Sequence, residues 1–323
     1  MKDVKCDLCP NYCALNDGQI GICGGRIARN GHCVEYSHGS LSAIHIDPIE
    51  KKPLHHFFPG SSALSLGGWG CNLKCRGCQN DSLSRTRADA VKPRVYDAEK
   101  IVLFARDEEC QSIAYTYNEP IIWWEYMDEV ANLARNQGIK NVMVTAGYVS
   151  EVARERVFAH IDAANVDLKG FSESFYRDWC GGKLGPILET LEYLHTKKDF
   201  WLEVTTLLIP GMNDGDEMLR AEFEWFVSHL GSEVPLHLSA FHPAAEAMNI
   251  PSTSLESVLH AGKLAREIGI RFVYMGNVPV MNDTVCSGCG NVLIRRMGYH
   301  VDIAGMNGGH CRTCGKELPG IFV

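Results

Sequence analysis

The stretch GGWGCNLKCRGCQN carries Cys71, Cys75 and Cys78 in a C-x3-C-x2-C spacing, with Gly67, Gly68 and Gly70 just before it. Three thiolates this close together are one short of a closed four-ligand site. They suit three irons of a four-iron cluster whose fourth iron stays open to a small molecule, and that vacancy is what reaction chemistry at a cluster requires. The alternative is a zinc site that takes its fourth ligand from elsewhere, for example His55 or His56.

The chain has 14 cysteines in 323 residues, and two further groups are equally patterned. Near the end, CSGC (Cys286, Cys289) is separated from CRTC (Cys311, Cys314) by 21 residues. Two Cys-x-x-C knuckles, with Gly288, Gly290 and Gly315 permitting the turns, form a closed tetrahedral thiolate site, which points to structural zinc with iron as the alternative. At the start, CDLCPNYC is followed by Cys23 and Cys33. Cys6, Cys9, Cys13 and Cys23 make the best ligand set for a metal, and spacing does not separate zinc from iron–sulfur. Cys33 is a spare or replacement ligand. Cys110 and Cys180 stand alone and read as small buried hydrophobes.

The elements that position these groups follow from composition and pattern. Hydrophobic residues at 46% and charged residues at 22% describe a globular chain and exclude a disordered or fibrous one. No apolar run is long enough for a membrane span, the start has no signal-peptide core, and clustered cysteines fit a reducing compartment, so a cytoplasmic protein is expected. A net charge of −8 argues against nucleic acid, and the segment between the terminal knuckles offers only a brief basic pair, Arg295 and Arg296. Short apolar runs at Ala63–Leu66, Ser112–Tyr115, Asn141–Thr145, Asn165–Leu168, Trp201–Leu208, Leu236–Ser239 and Arg271–Tyr274 read as buried parallel strands. Helical stripes alternate with them. Trp123, Met127, Val130 and Ala134 share one face between Pro120 and Gly138, and Leu219, Phe223, Phe226 and Leu230 share another before Gly231.

These motifs together resemble a radical S-adenosylmethionine (SAM) enzyme, and more closely the radical SAM component of the AmmeMemoRadiSam system, a group related to pyruvate formate-lyase activating enzymes. The resemblance is carried by CDLCPNYC, IDPIEKKPLHHFFPGS, GCNLKCRGCQN, YTYNEP, NVDLKGF, TTLLIPGMND, HLSAFHP and CSGC…CRTCG…LPGIFV. It implies an α/β fold: a partial (β/α)6 TIM-type barrel over residues 61–280, a Cys-rich N-terminal region over 1–60, and a zinc-ribbon-like C-terminal domain over 281–323. Six or seven strand–helix units agree with that count. The cysteine loop, Asn118-Glu119, Thr145 to Tyr148, Lys169 and Phe241-His242 then fall at the C-terminal ends of strands, where such barrels keep their chemistry.

The resemblance also implies cofactors and roles. A [4Fe-4S] cluster on Cys71, Cys75 and Cys78 binds SAM and, reduced by an external one-electron donor such as flavodoxin or ferredoxin, cleaves it to a radical that takes hydrogen from a substrate. Asn118 and Glu119 stand where relatives accept hydrogen bonds from the SAM ammonium. Thr145 stands in the next rim segment, Lys169 corresponds to a lysine that meets the SAM carboxylate, and His242 to a rim histidine near SAM. For Lys169 the alternative partners are Asp167 and Glu203. Two positions depart from the pattern: Gly77 replaces an aromatic residue beside the adenine, and Thr145-Ala146-Gly147 replaces Thr-Asn-Gly. The segment from Asp47 to Phe58 is dense in functional groups (Glu50, Lys51, Lys52, His55, His56) and otherwise reads as a solvated turn. Three functions are weighed: a radical SAM enzyme of unidentified substrate, a glycyl-radical-enzyme activase, and a non-catalytic metal-thiolate scaffold for AMMECR-like and Memo-like partners.

Overall fold

A computed structural model describes residues 4–322; residues 1–3 and 323, the last of which ends the LPGIFV motif, lie outside the description. Its centre is one sheet of eight strands that follow one another in chain order. We number them β1 (Ala43–Pro48), β2 (Ser62–Gly67), β3 (Ser112–Tyr115), β4 (Lys140–Thr145), β5 (Ala163–Asp167), β6 (Trp201–Leu208), β7 (Leu236–Ala240) and β8 (Val273–Gly276). β1 pairs antiparallel with β2, and all later pairs are parallel. Helices α1 (Ala98–Asp107), α2 (Trp124–Asn136), α3 (Glu151–Val157), α4 (Gly185–Thr196), α5 (Asp216–Leu230) and α6 (Leu255–Ile268) occupy the successive crossovers. Six strand–helix units are thus followed by a seventh parallel strand, β8.

The seven parallel strands are the seven apolar runs of the sequence, moved by no more than two residues at either end. Both helical stripes face the core: Met127, Val130 and Ala134 on α2 and Leu219, Phe223, Phe226 and Leu230 on α5 are buried, in one cluster with residues of β2 to β8. Gly138 and Gly231 follow these helices with φ of 74° and 78°, the left-handed region in which a side chain is strained.

β1 and the segment after it depart from expectation. Residues 43–58, grouped by sequence with the Cys-rich region, join the large sheet, and 49–58 close its N-terminal end instead of forming a solvated turn. Ile49, Leu54 and Phe57 pack on Ala63, Ala114, Val142 and Ala163. The polar residues are buried with them: Glu50, Lys52, His55 and His56 are each at most 7% exposed. Glu203 of β6 is the hub. Its carboxylate accepts the backbone N–H groups of His55 (3.0 Å) and His56 (2.7 Å), the Trp201 indole (2.9 Å) and His237 (2.6 Å). Burial alone would raise its pKa, but His237 and these donors bring it below the usual value. A buried carboxylate so satisfied is tolerable; stripped of one partner it is not.

The C-terminal lobe docks on the same end. His56 Nδ1 lies 2.6 Å from the Pro319 carbonyl, which can only accept, so Nδ1 carries the proton and Nε2 accepts from Tyr274 (2.6 Å). Arg296 donates to the His55 carbonyl, and Ile321 exchanges backbone hydrogen bonds with His56 and Phe58.

Burial pushes the His56 pKa down to about 4. In the unfolded chain the ring takes its proton near 6.5, so between pH 6.5 and 4 the unfolded state binds more protons and stability is lost as the pH is lowered, by on the order of 3 kcal/mol from this group. Anaerobic urea unfolding of the wild type should show that slope, and His56→Phe, less stable at pH 7, should have a shallower one. An equal slope in the two proteins contradicts the neutral, buried assignment.

Candidate functional site

The opposite, C-terminal end of the sheet opens into a cavity of about 270 Å³. Cys71, Cys75 and Cys78 form one wall, and Glu119, Thr145 and Lys169, from the ends of β3, β4 and β5, contribute to the others. The loop bearing the cysteines is held from behind. Gly70 has φ 85°, and a Cβ there would collide with the Cys23 carbonyl; a Cβ at Gly68 would stand 2.8 Å from the Trp123 ring. Cys71 N–H donates to that Cys23 carbonyl (3.0 Å).

Counting donors and acceptors separates the expected site residues. Asn118 Oδ1 accepts from Gly68 N (2.9 Å) and Trp123 Nε1 (3.2 Å), and Nδ2 donates to Gly70 O (2.9 Å). Both its lone pairs are used, so it fixes the glycine loop and has no acceptor left for an ammonium. Glu119 lines the cavity and accepts from Thr145 Oγ1 (2.5 Å), Ile121 N (3.3 Å) and Ala146 N (2.9 Å). Of about four acceptor positions on a carboxylate, one remains open. Burial raises its pKa, opposed by the Thr145 and Ala146 hydrogen bonds. Thr145 is the bracket between Glu119 and Gly147 N (2.9 Å).

Lys169 pairs with Asp167 at 2.7 Å, and both face the cavity. Burial would lower the Lys169 pKa, but the Asp167 and Cys75 charges hold it well above its ordinary value, so it stays cationic. Glu203, the other partner weighed for it, is committed at the far end. His242 is not in the cavity wall: it is exposed, with Nδ1 3.3 Å from Ser252. Its neighbour Phe241 turns inward, and adjacent residues leaving a strand point to opposite sides. His55 and His56, considered as fourth ligands to the trio, belong to the plug at the other end.

The sequence reading missed three residues here. Cys180, taken as a bland buried residue, sits against Cys75, and its thiol is the main influence on the Cys75 thiol. The Cys180 carbonyl accepts from Lys74 N (2.7 Å) and Trp179 O from Arg76 N (3.0 Å), so the turn Tyr176–Cys180 runs beside the cysteine loop. Trp179 and Phe241 resolve the departure at Gly77. A Cβ at that position would lie 2.9 Å from Trp179 and 2.8 Å from Phe241, and Trp179 lines the cavity. The space around Gly77 is filled by rings from two other segments. The glycine pair after Trp179-Cys180 is a sequence signal for such close approach: a Cβ at Gly181 would be 3.0 Å from Lys74.

The terminal cysteines make a different site. Cys286, Cys289, Cys311 and Cys314 bring their sulfurs within 4.8 Å of one another, with Cys286–Cys314 at 3.5 Å and Cys289–Cys311 at 3.6 Å. Four sulfurs at ~2.3 Å from one tetrahedral ion stand about 3.8 Å apart, so this set fits a single ion. Backbone bonds Gly290 N to Cys286 O (3.0 Å) and Gly315 N to Cys311 O (2.9 Å) close the two knuckles.

Residues 68–222 match the family model of the radical SAM superfamily. The chain belongs to the radical SAM superfamily. It is 37% identical over 319 residues to the uncharacterized protein MJ0808 of Methanocaldococcus jannaschii, covering 98% of this chain and 95% of that one. It is 23% identical over 230 residues to the putative glycyl-radical enzyme activating enzyme MJ1632 of the same organism, covering 69% and 82%. Among solved structures, a radical SAM methyltransferase from Sphaerobacter thermophilus superposes with a TM-score of 0.53 at 15% identity, covering 68% of this chain and 67% of that one, and this likeness is one of fold alone. The chain is therefore a radical SAM enzyme, and the family implies a [4Fe-4S] cluster, SAM and an external reductant. No helix among the described residues is long and apolar enough to cross a membrane.

The packing at Gly77 yields a test. Gly77→Phe overfills the space between Trp179 and Phe241 and should cost about 1–3 kcal/mol of stability by thermal or urea unfolding. Combined with Trp179→Ala it should recover part of that loss, because the ring then has room. Equal losses in the single and double variants contradict the packing assignment.

Proposed function

We propose that Cys71, Cys75 and Cys78 hold the [4Fe-4S] cluster and that the cavity beside them binds SAM, in an enzyme whose radical abstracts hydrogen from a substrate still to be identified. A cluster on these thiolates supplies reductive cleavage of SAM to methionine and a 5′-deoxyadenosyl radical. The observation that carries the reading is the meeting of three thiols, one carboxylate with an open acceptor position and one lysine around a single cavity, delivered by three different strand ends.

The chain's own groups divide the work of holding SAM. Glu119 accepts from the ammonium, and Lys169 turns from Asp167 to the carboxylate. Trp179 offers its indole face to the adenine in place of a residue at Gly77. Asn118 and Thr145 act one step back, fixing the glycine loop and orienting Glu119. His242 is assigned no contact with SAM. We further read the sheet as a partial barrel closed below by the 49–58 plug, and the terminal four-cysteine lobe as a zinc-ribbon-like structural staple.

The segments shared with the AmmeMemoRadiSam group support AMMECR-like and Memo-like proteins as partners. The likeness to a putative glycyl-radical enzyme activating enzyme supports activase chemistry as the second reading. The metal-rich segments at both ends favour modification of another substrate. Family membership sets the non-catalytic scaffold aside.

Reconstituted anaerobically and given reductant and SAM, the wild type should release 5′-deoxyadenosine, and Cys71→Ala should not. Release by Cys71→Ala at the wild-type rate overturns the cluster assignment. Glu119→Gln should keep the cluster but weaken SAM binding by about tenfold, as expected for a lost charge-assisted hydrogen bond. In metal analysis, Cys311→Ala should lose zinc while the deoxyadenosine-forming site remains, and unchanged zinc content contradicts the staple.

A further inference from the structure

The SAM cavity has a neighbour. Two of its lining residues, Ser239 of β7 and Asn277 just after β8, also line a second cavity of about 630 Å³. The first, at about 270 Å³, is at the small end for one ligand of the size of SAM, so a substrate must take space beside it. The second cavity supplies that space along the edges of the sheet. β8 and β1 are the two edge strands; the cavity is walled by β8 and residues 277–282 on one side and by Glu50 and Lys51, which follow β1, on the other. His237 and Ser239, alternate residues of β7, share a face and line it from the 49–58 plug to the SAM rim. Gly276 keeps the junction open, because a Cβ there would collide with Ser239 Oγ. A third wall comes from the four-cysteine lobe, through Arg296, Met297 and Tyr299.

The base of this cavity is polar and incompletely paired. Glu50, His55 and Arg296 all line it, are at most 7% exposed, and each keep one buried atom without a hydrogen-bond partner: Oε2, Nδ1 and Nε. Arg296 otherwise donates to Asn282 O (3.2 Å), Thr284 Oγ1 (2.7 Å) and His55 O, and Glu50 Oε1 accepts from Gly60 N (2.8 Å). Unpaired buried polar atoms are rare in native proteins, and three around one cavity point to a polar occupant.

The charges decide its sign. Arg296 Nε stands 3.9 Å from Glu50 Oε1, so those two offset each other, and Glu203, behind His237, is enclosed by its four donors. Asp47 accepts from Lys51 (2.7 Å), Lys52 (2.7 Å), Ser65 (2.9 Å) and Tyr117 (2.8 Å), so one carboxylate serves two ammonium groups. The Lys52 side chain is buried, whereas that of Lys51 is 46% exposed and can turn into the cavity it lines. Around the mouth Met281, Met297 and Tyr299 are each more than half exposed, with Val278 and Val280 beside them. A cationic base under an apolar mouth matches an anion with an apolar body.

We infer that this second cavity binds the substrate of the radical, a small organic acid whose carboxylate meets Lys51 and whose apolar body runs along β8 to Ser239 and Asn277. The inference rests on the radical SAM reading above, and it gives the four-cysteine lobe a wall of the substrate site in addition to its structural part. At the junction a C–H bond of the acid breaks homolytically. Its hydrogen completes the methyl group of 5′-deoxyadenosine, the unpaired electron stays on the acid, and the carboxylate is unchanged.

The test uses the full-length chain, reconstituted anaerobically and saturated with SAM, with 4-phenylbutyrate as ligand and 4-phenylbutyramide as its neutral counterpart. In isothermal titration the acid should bind at least tenfold more tightly than the amide. Lys51→Gln should bring the two to equal affinity and Lys51→Arg should restore the preference; the ratio of the two affinities is a readout that a merely structural loss at Asp47 does not move. Tyr299→Ala should weaken both ligands about threefold or more and leave SAM affinity unchanged. With reductant present, saturating acid should change the rate of 5′-deoxyadenosine release at least twofold. No binding of the acid, equal affinities in the wild type, a preserved preference in Lys51→Gln or a release rate indifferent to the acid overturns the inference. Those outcomes leave SAM-dependent release by the wild type intact, whereas acid binding as expected without any release is a failure of the radical SAM reading alone.

Discussion

The loop that presents Cys71, Cys75 and Cys78 depends on a backbone too tightly packed at Gly67, Gly68 and Gly70 to carry side chains there. Residues 67–70 pass between Trp123, Ile122 and the Cys23 carbonyl, and Asn118 spends three hydrogen bonds keeping them there. If any of these contacts loosens, the trio loses its position relative to the ends of β3, β4 and β5. The cost of that crowding is met elsewhere, by apolar burial along the parallel strands, whose residues from Leu64 to Leu238 are almost without exposure. Precision at the rim is thus supported from the core.

The two ends of the sheet solve opposite problems. At the N-terminal end, Glu203 takes four donors, His56 is held between Pro319 and Tyr274, and Arg296 reaches His55, while Glu50 Oε2, His55 Nδ1 and Arg296 Nε are buried without a hydrogen-bond partner. Such an arrangement rigidifies because breaking any one bond leaves a buried polar atom unpaired. At the C-terminal end the groups are partly unspent. Glu119 keeps an open acceptor position and Lys169 is paired only with a neighbouring carboxylate that shares its cavity. The terminal four-cysteine lobe is seated on the plugged end and the N-terminal cysteine lobe on the open one.

Much of this was legible in the chain. The parallel strands announce themselves because both their faces are buried, which leaves runs of β-branched and apolar residues, and the cysteine knuckles do so because their geometry is local. β1 was hidden, since an edge strand reading AIHIDP has exposed His45 and Ile46 and a buried Asp47, the reverse of a simple apolar signal. The plug was hidden for a related reason: Glu50, Lys52, His55 and His56 look solvated until Glu203, nearly 150 positions away, is placed beside them. His242, expected at the rim, is exposed beyond the end of β7, while its neighbour Phe241 is buried. Cys180 was missed because its partner Cys75 is joined to it by the fold and not by spacing.

The charge pattern of the cavity bears on its ligand independently of family. Glu119 and Lys169 stand on walls built by β3 and β5, one an acceptor, the other held cationic by Asp167 and Cys75 despite burial. A ligand with only an anionic group would satisfy Lys169 and leave Glu119 facing a void, and a purely cationic one would do the converse. A molecule carrying an ammonium and a carboxylate on one carbon satisfies both, and the three sulfurs on the remaining wall meet it from the side where soft metal is expected. The amino-acid end of SAM has that form. Trp179, packed with Phe241 against Gly77, contributes its indole to the same cavity wall.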